Sequence, residues 1–436
     1  MKNSFSELLS EIISQSGISK NEIIRACDID RSSFFKFLNG SRIPTNEQLN
    51  KICSKLQFSA SEEKALRLEY ARVTIGERKV LAHQKIAQLL WKMEETENSK
   101  TIEKKSNYCT ETEVAETTIN GKAKVIELLV NTIIQELAEG AGRCEINIFL
   151  PSEADEILDW IVSFISGEQG DCIKFRHLIE LPARNNQADQ MVIDRLKFAL
   201  LCTLVNPSAY SGYYYYSGDS ISSSLGVFYA YSLVAEHRVV LMNERMDKAI
   251  VITDQECCKD YKSHFVSALN CAHPIIKKVE CRRASEELNC PVLYLYGSRV
   301  GSEQTDINNS VRYISLAGIK KIAGVGNLPN ESGSKTVNSN ERVRKLNEIR
   351  NEIGTHVFII DERNIPPAKT WCAALSGKDK LIFYKADSKY FFIITEPEVV
   401  QAFYRFMSEL PDSGYLLRND LALDIIDGLI AVASNQ

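Results

Sequence analysis

The segment Tyr210-Ser-Gly-Tyr213-Tyr214-Tyr215-Tyr216-Ser-Gly-Asp219 is the densest run of chemically useful side chains in the sequence. On a strand, alternation sends Tyr213 and Tyr215 to one face, where rings and hydroxyls offer a small ligand stacking surface and hydrogen bonds. Ordinary half-buried strand packing competes with that use. Other candidates stop short of chemistry. Gly326 to Gly333-Ser334-Lys335-Thr336 looks like a phosphate loop, but a phosphate loop places four residues between its glycines and none between the second glycine and lysine. A polar surface loop is expected there instead. Cys271-Ala272-His273 lacks two further ligands at zinc spacing, so no metal is expected. Ser332 to Lys335 has none of the elements that support an S-x-x-K acylating serine, and six histidines are dispersed without a recognisable triad. The expectation is a protein that is not an enzyme, with no catalytic residues and no cofactor.

The elements that carry these residues belong to an ordinary globular chain. At 436 residues, two or three domains are expected. Apolar residues make up 44% and charged residues 25%, which excludes a disordered or fibrous class. No apolar run reaches the roughly 18 residues of a membrane span. The amphipathic start MKNSFSELLSEIISQ carries acids and fits neither a signal nor a transit peptide, so cytoplasmic residence is expected. Twelve cysteines, scattered apart from Cys257-Cys258 and without a C-x-x-C, are read as reduced thiols. The net charge of −5 is unevenly spread, since residues 1–94 hold 15 Lys and Arg against 11 Asp and Glu. Positive charge is concentrated at the N-terminal end.

Short capped helices fill residues 1–75. Phe5, Leu8, Leu9, Ile12 and Ile13 share one helical face, and Gly17 stops that helix. Ser19 to Glu22 is a capping box opening a helix through Cys27. Asp28 falls at a sharp turn, and Asp30 caps a third helix from Arg31 to about Leu38. Thr45 to Gln48 is a second capping box, followed by Leu49, Ile52, Cys53 and Leu56 at helical spacing, and Ser59 to Glu62 opens a fifth helix in the same way.

The run Ile18 to Ile23, the segment Ile29-Asp30-Arg31-Ser32-Ser33-Phe34, and Phe37 to Gly40 with Arg42 and Pro44 resemble the lambda-repressor-like (XRE-type) helix-turn-helix domain. The sequence departs from that family's pattern at Lys20, Ile24, Asp28, Phe37 and Leu38. Asp tolerates a left-handed turn and Phe keeps a large aromatic in the core, so the fold survives these changes. The resemblance implies an all-α, five-helix domain whose second motif helix enters the major groove of double-stranded DNA. Arg31, Ser32, Ser33 and Lys36 lie on that helix away from Phe34 and Phe37. Arginine pairs bidentately with guanine, serine is permissive, and lysine serves guanine or phosphate. Lys20, Asn21 and Arg42 flank the groove as backbone contacts.

Beyond residue 75 the reading is coarser. Residues 76–120 form a helical connector (Ile86, Leu90, Met93) and a polar linker over 95–120. Residues 121–436 read as a mixed α/β domain, with a helix carrying Val125 to Leu137, a strand over Cys144 to Leu150, a helix over 153–166 and a strand over Ile173 to Leu181. Arg238 to Leu241 and Ile250 to Asp254, then a helix with Tyr261 and Phe265, are matched by Lys380 to Phe383 and Phe392 to Glu396, then a helix with Phe403 and Phe406, at an offset of 142 residues across both strands. This points to an internal duplication with halves split near 275–335, against a coincidence of a common strand–strand–helix order. It is faintly similar to the ligand-sensing halves of phospholipase-D-like regulators, without their H-x-K-x4-D. The expected fold class is multidomain: an all-α helix-turn-helix domain followed by a mixed α/β regulatory domain. The expected function is a sequence-specific DNA-binding transcriptional regulator whose C-terminal region senses a small molecule or protein. The alternative is a protein-interaction factor, antitoxin-like or defence-associated, that autoregulates through the same domain. A homodimer is expected, with Ile86 to Met93 and the stripe Leu421, Ile425, Leu429 and Val432 as contacts or as packing within one subunit.

Overall fold

A computed structural model describes residues 3–56, 58–99, 118–140, 143–182, 189–218, 230–280, 291–295, 311–324, 339–362, 371–376, 379–385, 390–413 and 415–435. The chain divides into two compact units. The first comprises Met1–Gln88, Pro291–Ala374 and Phe403–Gln436; the second comprises Leu89–Cys290 and Leu375–Ala402.

In the first unit, α1 (Ser4–Gln15), α2 (Lys20–Cys27), α3 (Arg31–Leu38), α4 (Asn46–Leu56) and α5 (Ala60–Thr74) follow one another. Their starts are set by side chains that satisfy the free amides of a first turn. Ser19, Asp30 and Ser59 each accept from the third amide of the helix they precede. Thr45 and Gln48 accept from each other's amides. Asn3 with Ser6 forms a further box that the sequence reading did not include. The apolar faces converge on one core that contains Leu9, Ile23, Phe34, Phe37, Leu49 and Ile52. Each such side chain contributes about 1.5–3 kcal/mol through removal from water. Tyr70 of α5 closes over it, edge-on to Phe5 and donating to the Pro44 carbonyl.

The same unit holds the parallel strands β10 (Pro291–Leu295), β11 (Val311–Ser315) and β12 (Val357–Ile360). Helices α12 (Leu316–Gly324), α13 (Ser339–Glu352) and α15 (Asn419–Ser434) pack around Ile319, Ile349, Ile359 and Ile426. Asn46 of α4 donates to the Pro411 carbonyl, and Arg418 to the Asn50 carbonyl. Residues 4–74 therefore share a compact unit with later segments of the chain, where separate regions 1–75, 76–120 and 121–436 were expected.

The second unit is built on an eight-stranded sheet in the order β1-β7-β6-β5-β2-β3-β4-β8. Its strands are β1 (Thr118–Asn120), β2 (Cys144–Phe149), β3 (Ile173–Leu181), β4 (Tyr210–Tyr216), β5 (Tyr231–Val234), β6 (Val239–Met242), β7 (Lys248–Ile252) and β8 (His273–Pro274). β2, β3 and β4 run parallel, joined by α8 (Asp155–Ser166) and α9 (Asp189–Val205) as crossovers. The remaining neighbours are antiparallel. Helices α7 (Lys122–Glu139) and α10 (Gln255–Cys271) complete the layers, and β6 is buried at every position, as a strand covered on both faces should be. A mixed α/β region thus follows the N-terminal helices, as expected.

A second hairpin lies in the same unit, with β14 (Lys380–Lys385) antiparallel to β15 (Tyr390–Ile394), which pairs in turn with β9 (Lys277–Glu280). β13 (Trp371–Ser376) precedes it, and α14 (Pro397–Glu409) follows. In the first hairpin Val239 faces Ile252 and Leu241 faces Ile250; in the second Leu381 faces Ile394 and Phe383 faces Phe392. Each pair is displaced by the same 142 residues that separate the sequence segments. The acids after the hairpins keep that spacing: Asp254 accepts from the Cys257 amide and Glu396 from the Val399 amide.

Two boundaries differ from expectation. α6 (Glu77–Ser99) runs into the polar stretch 95–120, and Thr118–Asn120 pair with β7, so the described ends of that stretch are regular structure. Thr118–Asn120 form an edge strand of the eight-stranded sheet with its two outer residues exposed. Ile86, Leu90 and Met93 are buried inside the chain, whereas Trp91 of the same segment is exposed. The loop 326–336 lies outside the described residues. Among the described residues, no helix is long and apolar enough to cross a membrane.

Candidate nucleic-acid interface

The pair α2 and α3 is joined by a tight turn whose geometry follows from three residues. Asp28 takes the left-handed conformation at φ 49° and ψ 50°, which Asp tolerates because its short polar side chain bonds locally. Ile29 is buried and anchors the turn in the core. Asp30 then accepts from the Ser33 amide at 2.8 Å, and that bond holds its carboxyl below the usual range. Phe34 and Phe37, fully buried, fix which face of α3 turns outward.

Lys20, Asn21, Arg31, Ser32, Lys36 and Arg42 are exposed, and Ser33 is half-buried. Arg42 Nη1 donates to Ser33 Oγ at 3.1 Å, so these two act together rather than as independent contacts. Among the described residues, Lys20, Arg31, Lys36 and Arg42 form no ion pair. On α4 and α5, by contrast, Lys51, Lys55, Arg67 and Arg72 are paired with Glu47, Glu22, Glu63 and Glu69. The charge on α2 and α3 is left available for an anion.

Phe35 was not singled out from the sequence. It projects from α3 at 39% exposure, with Lys20 Nζ and the Arg31 guanidinium each 5.9 Å from its ring centroid. The available signal was periodicity, because of Phe34, Phe35 and Phe37 only two can face the core of a helix.

The other candidates are placed elsewhere. Tyr215 is buried among Leu178, Val234 and Phe265 beneath α10, and Tyr213 packs against that cluster. Burial pushes the Tyr215 phenol up. Both tyrosines are thus used in sheet–helix packing. On the opposite face Tyr210 meets His177, with 2.5 Å between the hydroxyl and Nδ1. Cys271 and His273 are both exposed, and the described cysteines are free thiols. Among the described residues, one trio has metal-ligand proximity, Glu136, Glu139 and His237. Arg238 bonds to both glutamates at 2.5–3.1 Å and supplies the cation there.

No protein family matches this sequence, and no curated protein matches it.

Proposed function

We propose that residues 1–75 are a helix-turn-helix domain that binds specific double-stranded DNA, and that the protein is a transcriptional regulator. The observation that carries this reading is the outward charge, unpaired among the described residues, of Lys20, Arg31 and Lys36 on the capped pair α2 and α3 and of Arg42 just after α3. A phosphate backbone rewards cations that need not first break an ion pair. With α3 in the major groove, Arg31 reads a guanine, Ser32 and Lys36 contribute nearby, and the Arg42–Ser33 pair with Lys20 and Asn21 fixes register. The later segments of the first unit touch α4 through Asn46 and Asn50, on a helix other than the reading one.

In this reading the α/β region is regulatory, responds to a small molecule or protein, and arose by duplication. The common 142-residue displacement of hairpin register and helix cap supports the duplication. The regulator acts as a homodimer, since one recognition helix reads few base pairs. Leu421 and Val432, exposed on α15, and Trp91, exposed on α6, are the candidates for the subunit contact.

The test is selection of binding sites from random duplexes with the full chain, then comparison of Arg31→Ala with the parent. Arg31→Ala should weaken binding to a selected site by about 1–3 kcal/mol and relax selectivity at one base pair. Equal loss on selected and random DNA would reduce Arg31 to a phosphate contact, and failure to enrich any sequence would overturn the reading.

A further inference from the structure

We infer that Phe35 is a base-reading residue, which recognises the C5-methyl group of a thymine in the major groove; this rests on the DNA-binding reading above. Scattered apolar side chains on a surface are common and mean little by themselves. Phe35 differs in its setting. It sits in the middle of a face otherwise made of Lys20, Arg31, Ser32 and Lys36, where an exposed ring contributes nothing to a phosphate contact. Its orientation is held from two sides. Phe34 meets it edge-on at a centroid distance of 6.3 Å, and Lys20 and Arg31 lie over it at 5.9 Å. Those cations would bring the ring to the groove between the phosphates they neutralise.

Of the groups a base pair shows in the major groove, the thymine methyl is the apolar one, and side chains recognise it by contact rather than by hydrogen bonding. A ring projecting one turn beyond Arg31 on the same helix has the reach for a base next to the one that Arg31 pairs with. The inferred site therefore contains a guanine and a neighbouring thymine within one half-site.

The experiment uses the full chain and a duplex selected from a random library, in which each thymine is replaced in turn by deoxyuridine. That replacement removes the methyl and leaves base pairing intact. At one thymine the loss should be about fourfold, the value of one apolar carbon taken from water. Phe35→Ala should bind the thymine duplex about as weakly as the parent binds that deoxyuridine duplex, and should show no further loss on the deoxyuridine duplex. Phe35→Leu should keep part of the preference. An unchanged deoxyuridine profile in Phe35→Ala, or no thymine whose methyl matters to the parent, overturns the inference while leaving DNA reading intact. If no sequence is enriched, the DNA-binding reading itself falls, and this inference with it.

Discussion

Residues 4–74 bury Ser6 and Arg67 as their polar side chains and turn Lys20, Arg31, Lys36 and Arg42 to the outside. The eight-stranded sheet and its helices do the reverse, enclosing Thr132, Glu136, Asn147, His177 and Thr203. In the helical region the interior is nearly all apolar, so its stability and its proposed chemistry reside in different side chains. In the sheet region Glu136, Asn147, His177 and Thr203 are held inside by specific partners, so changing one of them alters the fold's own energetics. A surface of exposed cations, such as the one proposed to read DNA, can be rewritten without refolding; an interior of this kind responds to protonation and to single-atom deletions.

Adjacent residues on α3 give the largest expected effect. Phe34→Ala removes a fully buried ring and should destabilise the helical region by about 3–5 kcal/mol, measured by denaturant unfolding. Phe35→Ala removes an exposed ring and should stay within about 0.5 kcal/mol of the parent. A large loss in Phe35→Ala would break the separation of stability from surface chemistry.

What was legible beforehand follows the same division. The starts of α2, α3, α4 and α5 were readable because Ser19, Asp30, Thr45 and Ser59 act on amides three residues away. The hairpins β6–β7 and β14–β15 were readable as apolar runs repeating at a fixed interval. Nothing local announces that His177 meets Tyr210, or that Arg238 reaches back to Glu136 and Glu139, because these pairs form only once the sheet order is set. The proposed ligand face at Tyr213 and Tyr215 suffered from the same limit, since alternation gives the face but not what α10 lays over it. Phe35 was hidden for another reason: an apolar residue beside core phenylalanines is read as core until the helix phase is fixed.

The sheet interior should respond to acid. Burial pushes His177 down to about 4 from the ordinary imidazole value of 6.5. The Leu150 carbonyl can only accept, so the neutral ring directs Nε2–H to it and accepts a hydrogen bond from the Tyr210 hydroxyl at Nδ1. A depressed folded value means that the unfolded chain binds the proton first. This contribution is fully present above pH 6.5 and is lost as pH falls from 6.5 towards 4, by about 3 kcal/mol in all. Urea unfolding at pH 7.5 and 4.5 should show the loss, and His177→Leu should reduce the pH dependence by that amount whatever its absolute stability. His83, buried beside Glu409 and also lowered by desolvation, adds a smaller slope of the same sign that survives in this variant. An unchanged pH dependence in His177→Leu would show that the buried imidazole does not set the acid response.

The smallest effect concerns the two acids that follow the related hairpins. Glu396 is fully buried, and besides capping α14 through the Val399 amide it accepts the Tyr216 hydroxyl at 2.7 Å. Asp254, its counterpart in the first hairpin, caps α10 but is exposed. Tyr216→Phe keeps the ring and deletes only the donor to Glu396, whose Oε1 then lacks that bond while the cap through Oε2 remains. A buried acceptor left without its donor costs about 1–3 kcal/mol, because water cannot make up the loss. The variant should therefore unfold at lower denaturant with an unchanged m-value. Combining it with Glu396→Gln provides the sharper measurement, because a real coupling makes the double variant less costly than the sum of the single ones. Asp254→Asn serves as the comparison: water can replace what an exposed cap loses, so its effect should be smaller than that of Glu396→Gln. Equal losses at the two acids would mean that the hairpins share not only their register but also the energetic role of their caps, and that the burial of Glu396 contributes nothing of its own.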